Sequence, residues 1–292
     1  MADASDSHRR YLSDEQIDAY RRDSYVTPDV IDAERIGELR GVTERFVDRS
    51  RAISASDDLF DLDPIHSAQT PTLRRIKNPA DNDPLYRWVA FESPIPDIVA
   101  ELIGPDVKFH HSKLNLKGGR IGAPVEWHQD AAFYPHSNDD VLAVGLLLDD
   151  ATAENGCLVV LPGSHRERVH EHYDDGGRFI GRMREEDIGR FDGRKGRLLE
   201  LPAGGIHIHH YRLIHWSAPN TSADDRRLLI NAYSAADAIP LSADPTKTRF
   251  FGAIVRGRAP LRVRRTAGDI RLPPDFSKGY SSIYELQTQA DS

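Results

Sequence analysis

Trp127-His128-Gln129-Asp130 is a short stretch that places a histidine and a carboxylate two residues apart. In an extended strand, side chains two residues apart point to the same face, so His128 and Asp130 are predicted to reach into one cavity. His215, far along the chain, would add a second imidazole. Two histidines and one carboxylate leave three adjacent coordination positions of a metal ion open, and non-haem Fe(II) oxygenases use these positions for a co-substrate and O2. The sequence therefore predicts an iron centre inside a β-rich fold.

The second histidine has to be chosen among several, because residues 206–210 contain three more. His207 and His209 share a strand face and could form a ligand pair of the cupin type. His215 is favoured because a turn-forming segment and then Arg226 come after it. A guanidinium is a planar, permanently charged fork that suits a bidentate grip on a carboxylate. Arg226 is thus predicted to hold the far carboxylate of a C5 dicarboxylate whose 2-oxo acid end chelates the metal.

Length, charge and cysteine content exclude several classes of protein. The 292 residues suffice for one sizeable domain, and 38 basic against 46 acidic residues give a net charge of −8, which argues against a general nucleic-acid binder. No apolar run approaches the ~18–20 residues needed to cross a bilayer, and residues 1–16 lack the apolar core of a secretory signal. Cys157 is the only cysteine, which fits a reducing compartment. We therefore predict a cytoplasmic protein that acts on a small molecule, with no signal for an oligomeric state.

The first part of the chain is predicted to be helical. Helix-start signals occur at Ser13, Asp32 and Ser93, and Gly104 ends the third helix. Residues 52–84, between the second and third helices, are acidic and turn-rich and are interrupted by a basic patch at 74–77. The second helix carries apolar residues at helical spacing: Ile36, Leu39, Val42 and Phe46.

After Gly104 the pattern changes to short β-like runs separated by turn clusters, which is typical of a jelly-roll sandwich or barrel. We predict a mainly β fold with flanking helices (α+β), in a single oxygenase domain over 1–292. Its helical part is about 12–104, its β core about 105–235 with a charged insertion about 165–196, and its C-terminal arm 236–292. The predicted strands are 107–116, 141–148, 157–161, 198–201, 206–214 and 228–232.

Four motifs occur together in the second half of the chain. They are His128-Gln129-Asp130, the runs 149–158 (DDATAENGCL) and 162–165 (PGSH), and His215-x-Ser217 with Arg226 eleven residues past the histidine. With these motifs the chain resembles members of the phytanoyl-CoA dioxygenase family, and the similarity covers roughly residues 74–233. The resemblance implies a double-stranded β-helix fold and Fe(II)- and 2-oxoglutarate-dependent oxidation, which consumes O2 and releases succinate and CO2.

Residue by residue, the resemblance implies that the two histidines and the aspartate named above hold the iron. It also implies that Arg226 and Ser217 hold the distal carboxylate of 2-oxoglutarate, and that Lys113 and Arg75 make further contacts with this co-substrate. Related halogenases replace the carboxylate ligand with a small residue. Because Asp130 is present, hydroxylation or a related oxidation is favoured over halogenation.

The substrate pocket is predicted from the aromatic residues next to the histidine–aspartate pair. Trp127, Phe133 and Tyr134 are expected to line it, with an ordinary core or rim position as the alternative. The charged insertion 165–196 and the C-terminal arm are expected to control access, so that substrate choice lies there.

Two other functions are compatible with parts of the pattern. A cupin-type metalloenzyme that works without 2-oxoglutarate would use His207, His209 and His215, but it leaves Asp130 and Arg226 without a role. A non-catalytic barrel that binds a small molecule has no evident need for an intact ligand set.

Residues 249–265 contain six arginines and no acidic residue. This segment is either a solvated strand face whose arginines pair with carboxylates elsewhere, or a site for an anionic substrate. The sequence leaves both interpretations open.

Overall fold

The computed structural model describes residues 10–28, 31–120, 122–191, 196–243, 246–266, 271–276 and 282–290. Residues 1–10, which the sequence predicts to be a polar tail, lie outside the described residues except for residue 10. The helices are α1 (Asp14–Asp23), α2 (Ala33–Arg49), α3 (Pro79–Asn82), α4 (Pro84–Phe91), α5 (Ile95–Ile103), α6 (Glu185–Ile188) and α7 (Ile283–Ala290). The strands are β1 (Tyr25–Val26), β2 (Phe60–Leu62), β3 (Leu73–Lys77), β4 (Val107–Lys117), β5 (Val125–His128), β6 (Val141–Leu147), β7 (Leu158–Val160), β8 (Arg197–Leu199), β9 (Ile206–His210), β10 (His215–Ser217), β11 (Arg226–Ala235) and β12 (Ile254–Arg256).

The strands form two antiparallel sheets. In the described residues the large sheet has eight strands, in the order β1-β9-β6-β11-β4-β3-β2 with β12 also pairing with β4, and the small sheet has the order β5-β10-β7-β8. The large crossovers between sequence neighbours are those of a jelly roll. This confirms the predicted double-stranded β-helix with flanking helices.

Local hydrogen bonds explain why the predicted helices begin where they do. The Ser13 side chain accepts from the backbone N–H of Gln16, and the Gln16 side chain accepts from the N–H of Ser13, which completes a capping box for α1. Asp32 caps α2 through its own carboxylate, and Gly104 ends α5. The starts predicted at Ser13 and Asp32 and the stop at Gly104 are therefore confirmed, whereas the helix predicted to start at Ser93 begins at Ile95, with Pro94 at its N-cap and no side-chain cap. The sequence patterns did not single out α4, nor β2 and β3, which lie in the stretch expected to be turn-rich.

Side-chain alternation gives the long strands two different faces. On β6, Leu142 and Val144 pack in the same core cluster as the buried residues of α2, whereas Gly145 faces inwards and a Cβ there would overlap the ring of His207. The outer face of the large sheet is thus covered by helices, and its inner face turns toward the small sheet. This inner face carries the polar residues of the long strands: Arg75, Lys113, His207, His209 and Arg226.

The arginine-rich segment 249–265 is tied to carboxylates of the fold. Arg256 hydrogen bonds to Asp97 at the N-terminal end of α5, and Arg264 Nη2 lies 2.8 Å from Asp237 Oδ1. These pairs favour the structural interpretation for Arg256 and Arg264, whereas Arg249 lines the cavity described below. In the described part of the chain, no helix is both long enough and apolar enough to span a bilayer.

Candidate active site

A cavity of about 570 Å³ is lined by residues of both sheets. Its small-sheet wall is built around one cross-strand pair, because β10 runs antiparallel to β5 with His215 directly opposite His128. This register places the two imidazole rings 4.1 Å apart between centroids. Asp130 lies two residues beyond His128, and one donor atom from each of these three side chains falls within 4.8 Å of the others. All three residues are buried.

Backbone carbonyl groups fix the orientation of both imidazoles. His128 Nδ1 lies 2.8 Å from the carbonyl oxygen of Glu126, and His215 Nδ1 lies 2.8 Å from that of Leu213. A carbonyl oxygen only accepts, so each Nδ1 carries the proton and donates it, which leaves each Nε2 with its lone pair free. His128 Nε2 is 3.9 Å from Asp130 Oδ1, on the same side as the other donors. Two free Nε2 atoms beside a carboxylate fit a divalent transition metal.

Burial sets the protonation states in this cluster. Removal from water lowers the pKa of His128 to about 4 and takes the pKa of His215 well below its ordinary value. Burial also opposes ionisation of Asp130, yet the pKa of this carboxyl lies well below its usual range because His209, Lys113 and His215 face it. Neutral imidazoles and an ionised carboxylate are the forms that bind a metal.

One local expectation was wrong in detail. The strand β5 ends at His128, and Asp130 begins a 3-10 turn that runs to Ala132. Gln129 between them is still extended, with φ −125° and ψ 129°, so the two donors keep a common side. The Gln129 side chain anchors the neighbouring loops, since its Nε2 donates to the carbonyl of Arg212 at 2.8 Å and its Oε1 accepts from the N–H of His170 at 2.8 Å.

The rival histidines lie on the same inner wall but outside the donor cluster. The rings of His207 and His209 are 5.5 Å apart, and His209 Nε2 is 3.7 Å from Asp130 Oδ2. Among the described residues, the donor group that could hold a metal contains neither of them. His209 therefore sits beside the aspartate, and a ligand set of His207, His209 and His215 does not form.

Arg226 and Ser217 line the same cavity, and both neighbour Lys117 of β4. Arg226 begins β11 in the large sheet, opposite the small sheet that carries the histidines. Its side chain is 3 % exposed, and Nη2 donates to the carbonyl of Gly156 at 3.0 Å. Ser217 is also buried, and both side chains line the cavity.

Lys117 belongs to this group and was missed by sequence reasoning. It pairs with Arg226 across β4 and β11, and its Nζ donates to Ser217 Oγ at 2.8 Å and to the carbonyl of Ala218. Burial, and then the charge of Arg226, lower the pKa of the Lys117 amine to about 6. In the sequence Lys117 precedes Gly118-Gly119 and resembles an exposed turn residue, so only the strand register identifies it.

Lys113 and Arg75 also line the cavity, farther along the inner face of the large sheet. Arg75 is 5 % exposed, and its Nε donates to Asn115 Oδ1 at 3.0 Å. Burial lowers the pKa of Lys113 to about 8, with Asp130 acting against this. Their predicted contact with the co-substrate stays a prediction.

The aromatic residues next to the donor cluster separate into two groups. Phe133 and Tyr134 line the cavity, whereas Trp127 does not. The ring of Trp127 packs against Trp216, with centroids 5.4 Å apart, and borders a separate small void.

No described residue of the insertion 165–196 lines the cavity. Two residues of the insertion pack behind the cavity-lining Phe133: the ring centroids of Phe179 and His172 lie 5.2 Å and 6.2 Å from that of Phe133.

The C-terminal arm, in contrast, contributes directly to the cavity wall through Phe276, Ile283 and Tyr284. The arm therefore forms part of the cavity wall, and control of access by the arm and the insertion stays a prediction.

Comparison with known proteins agrees with this geometry. The family model described as phytanoyl-CoA dioxygenase (PhyH) matches residues 20–228. A probable alpha-ketoglutarate-dependent hypophosphite dioxygenase of Stutzerimonas stutzeri is 34 % identical over 239 residues, which cover 80 % of this chain and 82 % of that protein. The L-proline trans-4-hydroxylase of Streptomyces griseoviridis is 33 % identical over 174 residues, 53 % of this chain and 63 % of that protein.

Solved structures show the same fold. The crystal structure of EctD from S. alaskensis with 2-oxoglutarate and 5-hydroxyectoine superimposes with a TM-score of 0.68 at 24 % identity, over 88 % of each chain. The chain thus belongs to the phytanoyl-CoA dioxygenase family. It is a non-haem iron dioxygenase that depends on 2-oxoglutarate.

Proposed function

We propose that this member of the phytanoyl-CoA dioxygenase family hydroxylates a small molecule, with Fe(II) held by His128, Asp130 and His215 and 2-oxoglutarate held by Arg226 and Ser217. The observation that carries the proposal is the convergence of three donor atoms within 4.8 Å in a buried cavity. Fe(II) with 2-oxoglutarate and O2 supplies the oxidising chemistry, in which 2-oxoglutarate becomes succinate and CO2 and one oxygen atom goes to the substrate.

The first task of the protein is to present the donors in the right protonation state. The carbonyls of Glu126 and Leu213 hold each imidazole as its Nδ1–H tautomer, and burial keeps both rings neutral at physiological pH. Metal binding then needs no proton to leave the histidines. The Asp130 carboxylate supplies the one negative charge of the set.

The second task is to orient the co-substrate. We propose that the guanidinium of Arg226 grips the distal carboxylate and that the Ser217 hydroxyl donates to it. Lys117 supports this arrangement, because its Nζ donates to Ser217 Oγ and so turns the hydroxyl hydrogen away from itself. A buried ion pair of this kind gains strength from the exclusion of water.

The third task is to shape the substrate space and keep water out of it. Phe133 and Tyr134 on one side, with Ile283 and Tyr284 of the C-terminal arm, give this space an apolar wall. The relatives oxidise hypophosphite and L-proline by their names, so we propose a substrate of that small size. Cys157 is buried and unpaired, which agrees with a protein that works in the reducing cytoplasm.

An anaerobic titration tests the proposed ligands. Adding Fe(II) and then 2-oxoglutarate to the wild type should produce a weak visible charge-transfer band, and His128→Ala or Asp130→Ala should abolish it. His165→Gln, which changes a histidine outside the cavity, should leave the band in place. A normal band in either ligand variant would refute the assignment.

Turnover is tested by measuring succinate released from 2-oxoglutarate. A panel of small molecules that includes hypophosphite and L-proline should contain at least one that increases succinate release in an Fe(II)-dependent way. Oxidation of a panel member without consumption of 2-oxoglutarate would contradict the proposal.

A further inference from the structure

We propose that Arg75 and Lys113 form a binding site for an oxyanion group of the substrate, such as a carboxylate, phosphonate or phosphinate. The inference rests on the proposed function and names the class of molecule that the cavity accepts. It assigns these two cations to the substrate, whereas the family resemblance predicts that they contact 2-oxoglutarate.

Strand pairing concentrates positive charge on one part of the cavity wall. β3 runs antiparallel to β4, with Lys77 directly opposite Lys113 and Arg75 two residues before Lys77 on the same face. All three side chains line the cavity. Like charges directly opposite each other in a sheet are destabilising, so the fold itself gains nothing from this arrangement. An anion bound between these three side chains would attract each of them and so offset the repulsion between their positive charges.

Neither Arg75 nor Lys113 has a carboxylate partner among the described residues. The ion pairs within 4.0 Å there include neither of them, although neighbouring Arg74 pairs with Asp63 at 3.4 Å. The carboxylate of Asp61, which is opposite Arg75 in the pairing of β2 with β3, is buried but makes no such pair and does not line the cavity. Within the described part of the chain, the one protein acceptor of the Arg75 guanidinium is Asn115 Oδ1, bonded to Nε. Both Nη atoms thus remain for a ligand, in the fork geometry that suits an oxyanion.

The ring of Tyr284 helps to hold this fork in place. Its centroid lies 5.6 Å from Arg75 Cζ, and the side chain is 4 % exposed. Because Tyr284 belongs to α7, the C-terminal arm covers the proposed anion site from outside.

Register separates this site from the proposed grip on 2-oxoglutarate. Arg226 is opposite Lys117, and Ile230 is opposite Lys113, on β11 and β4. Four residues along a strand correspond to roughly 13 Å. The distal carboxylate at Arg226 and an anion at Lys113 therefore occupy different ends of the same wall.

The described residues that line the cavity carry an excess of positive charge. Six of them are basic (Arg75, Lys77, Lys113, Arg226, Lys247 and Arg249), and three are acidic (Asp58, Asp81 and Asp130). The two positive charges of Fe(II) and the two carboxylates of 2-oxoglutarate would cancel each other and leave this excess unchanged. Charge without a counter-charge in a cavity closed to water is costly, and a substrate oxyanion provides the counter-charge.

The proposal is tested by calorimetry on enzyme loaded with Mn(II) in place of Fe(II) and with 2-oxoglutarate, which binds ligand without turnover. The probes are hypophosphite, methylphosphonate and L-proline, with dimethyl methylphosphonate as the uncharged counterpart. At least one anion should bind saturably and the neutral ester should not. The Kd of each binding anion should rise about tenfold or more in Arg75→Gln, the loss expected for one charge-assisted hydrogen-bonded pair.

The controls separate charge from folding. Arg74→Gln removes a positive charge from the residue that precedes Arg75 and does not line the cavity, so it should leave anion affinity unchanged. Lys113→Gln provides a second test at a less buried position, and the Tm of each variant verifies that it is folded. Binding of hypophosphite alone would identify an inorganic oxyanion, and binding of methylphosphonate or L-proline an organic acid; either supports the site.

Four results would overturn the proposal. They are equal binding of the neutral ester, unchanged anion affinity in both variants, no saturable anion binding by the wild type, and a loss in Arg75→Gln of 2-oxoglutarate affinity instead of anion affinity. A wild type that fails to bind 2-oxoglutarate at all would instead refute the proposed function.

Discussion

Replacing Arg226 by methionine tests the proposed position of the co-substrate. Methionine keeps most of the length of the side chain and removes the fork that faces the cavity. The protein itself loses one hydrogen bond, from Nη2 to the carbonyl of Gly156. The co-substrate loses its whole counter-charge at the distal end.

The size of the effect depends on burial and on the neighbouring amine. Arg226 is 3 % exposed, so water cannot replace it as a partner of the carboxylate. Loss of a charge-assisted pair costs about 1.5–3 kcal/mol, which raises the Kd of 2-oxoglutarate roughly 10- to 150-fold. Lys117 limits the loss, because the charge of Arg226 is one reason that its pKa is near 6. Without Arg226 this amine protonates more readily, so the variant should bind 2-oxoglutarate better as the pH falls.

The assay is an anaerobic titration of Fe(II)-loaded enzyme with 2-oxoglutarate, monitored by the visible charge-transfer band. Arg227→Met is the matched control, since Arg227 is the next residue and its Nη2 pairs with Asp149 at 2.7 Å outside the cavity. It should leave the Kd unchanged. If Arg226→Met binds 2-oxoglutarate within about threefold of the wild type, the proposed placement of the co-substrate is wrong.

Three further outcomes are expected. Lys117→Met should raise the Kd of 2-oxoglutarate about 2- to 12-fold through one lost hydrogen bond. In the wild type, proton uptake by the Lys117 amine should tighten 2-oxoglutarate binding between pH 7.5 and 6, and the variant should lose this pH dependence. Wild-type binding that does not change with pH would contradict this. Burial lowers the pKa of His136 to about 4, so the unfolded state takes up this proton first. His136 alone therefore lowers the free energy of unfolding by about 1.4 kcal/mol per pH unit between about pH 6.5 and pH 4. Urea unfolding of His136→Phe should show a pH slope that is shallower by this amount, and an unchanged slope would refute the cause. Leu39→Ala, at a position with 0 % exposure on α2, should lower the free energy of unfolding by about 2–5 kcal/mol while the folded enzyme keeps its 2-oxoglutarate affinity; a changed affinity would mean that α2 reaches the site.

The sequence alone was sufficient to predict those features whose physical cause is local in the chain. The capping box at Ser13 and the stop at Gly104 depend on hydrogen bonds and backbone angles within a few residues, and both are visible in the chain. The spacing of His128 and Asp130, with an arginine after the second histidine, indicates the reaction class because the chemistry of iron restricts its ligands.

The sequence alone determined the fold class, the starts of α1 and α2 and the pairing of His128 with Asp130, because each depends on short-range pattern or on ligand chemistry. Tertiary structure decided which residues share the cavity with that donor set. Lys117 reaches Ser217, and Arg75 approaches Lys113, only because β4 pairs with β11 and β3 in one particular register. Trp127 points away from the cavity, although it adjoins a ligand, because its ring packs on Trp216. Register and packing are decided by contacts between residues far apart in the chain, and a shift of one residue would turn every side chain to the other face.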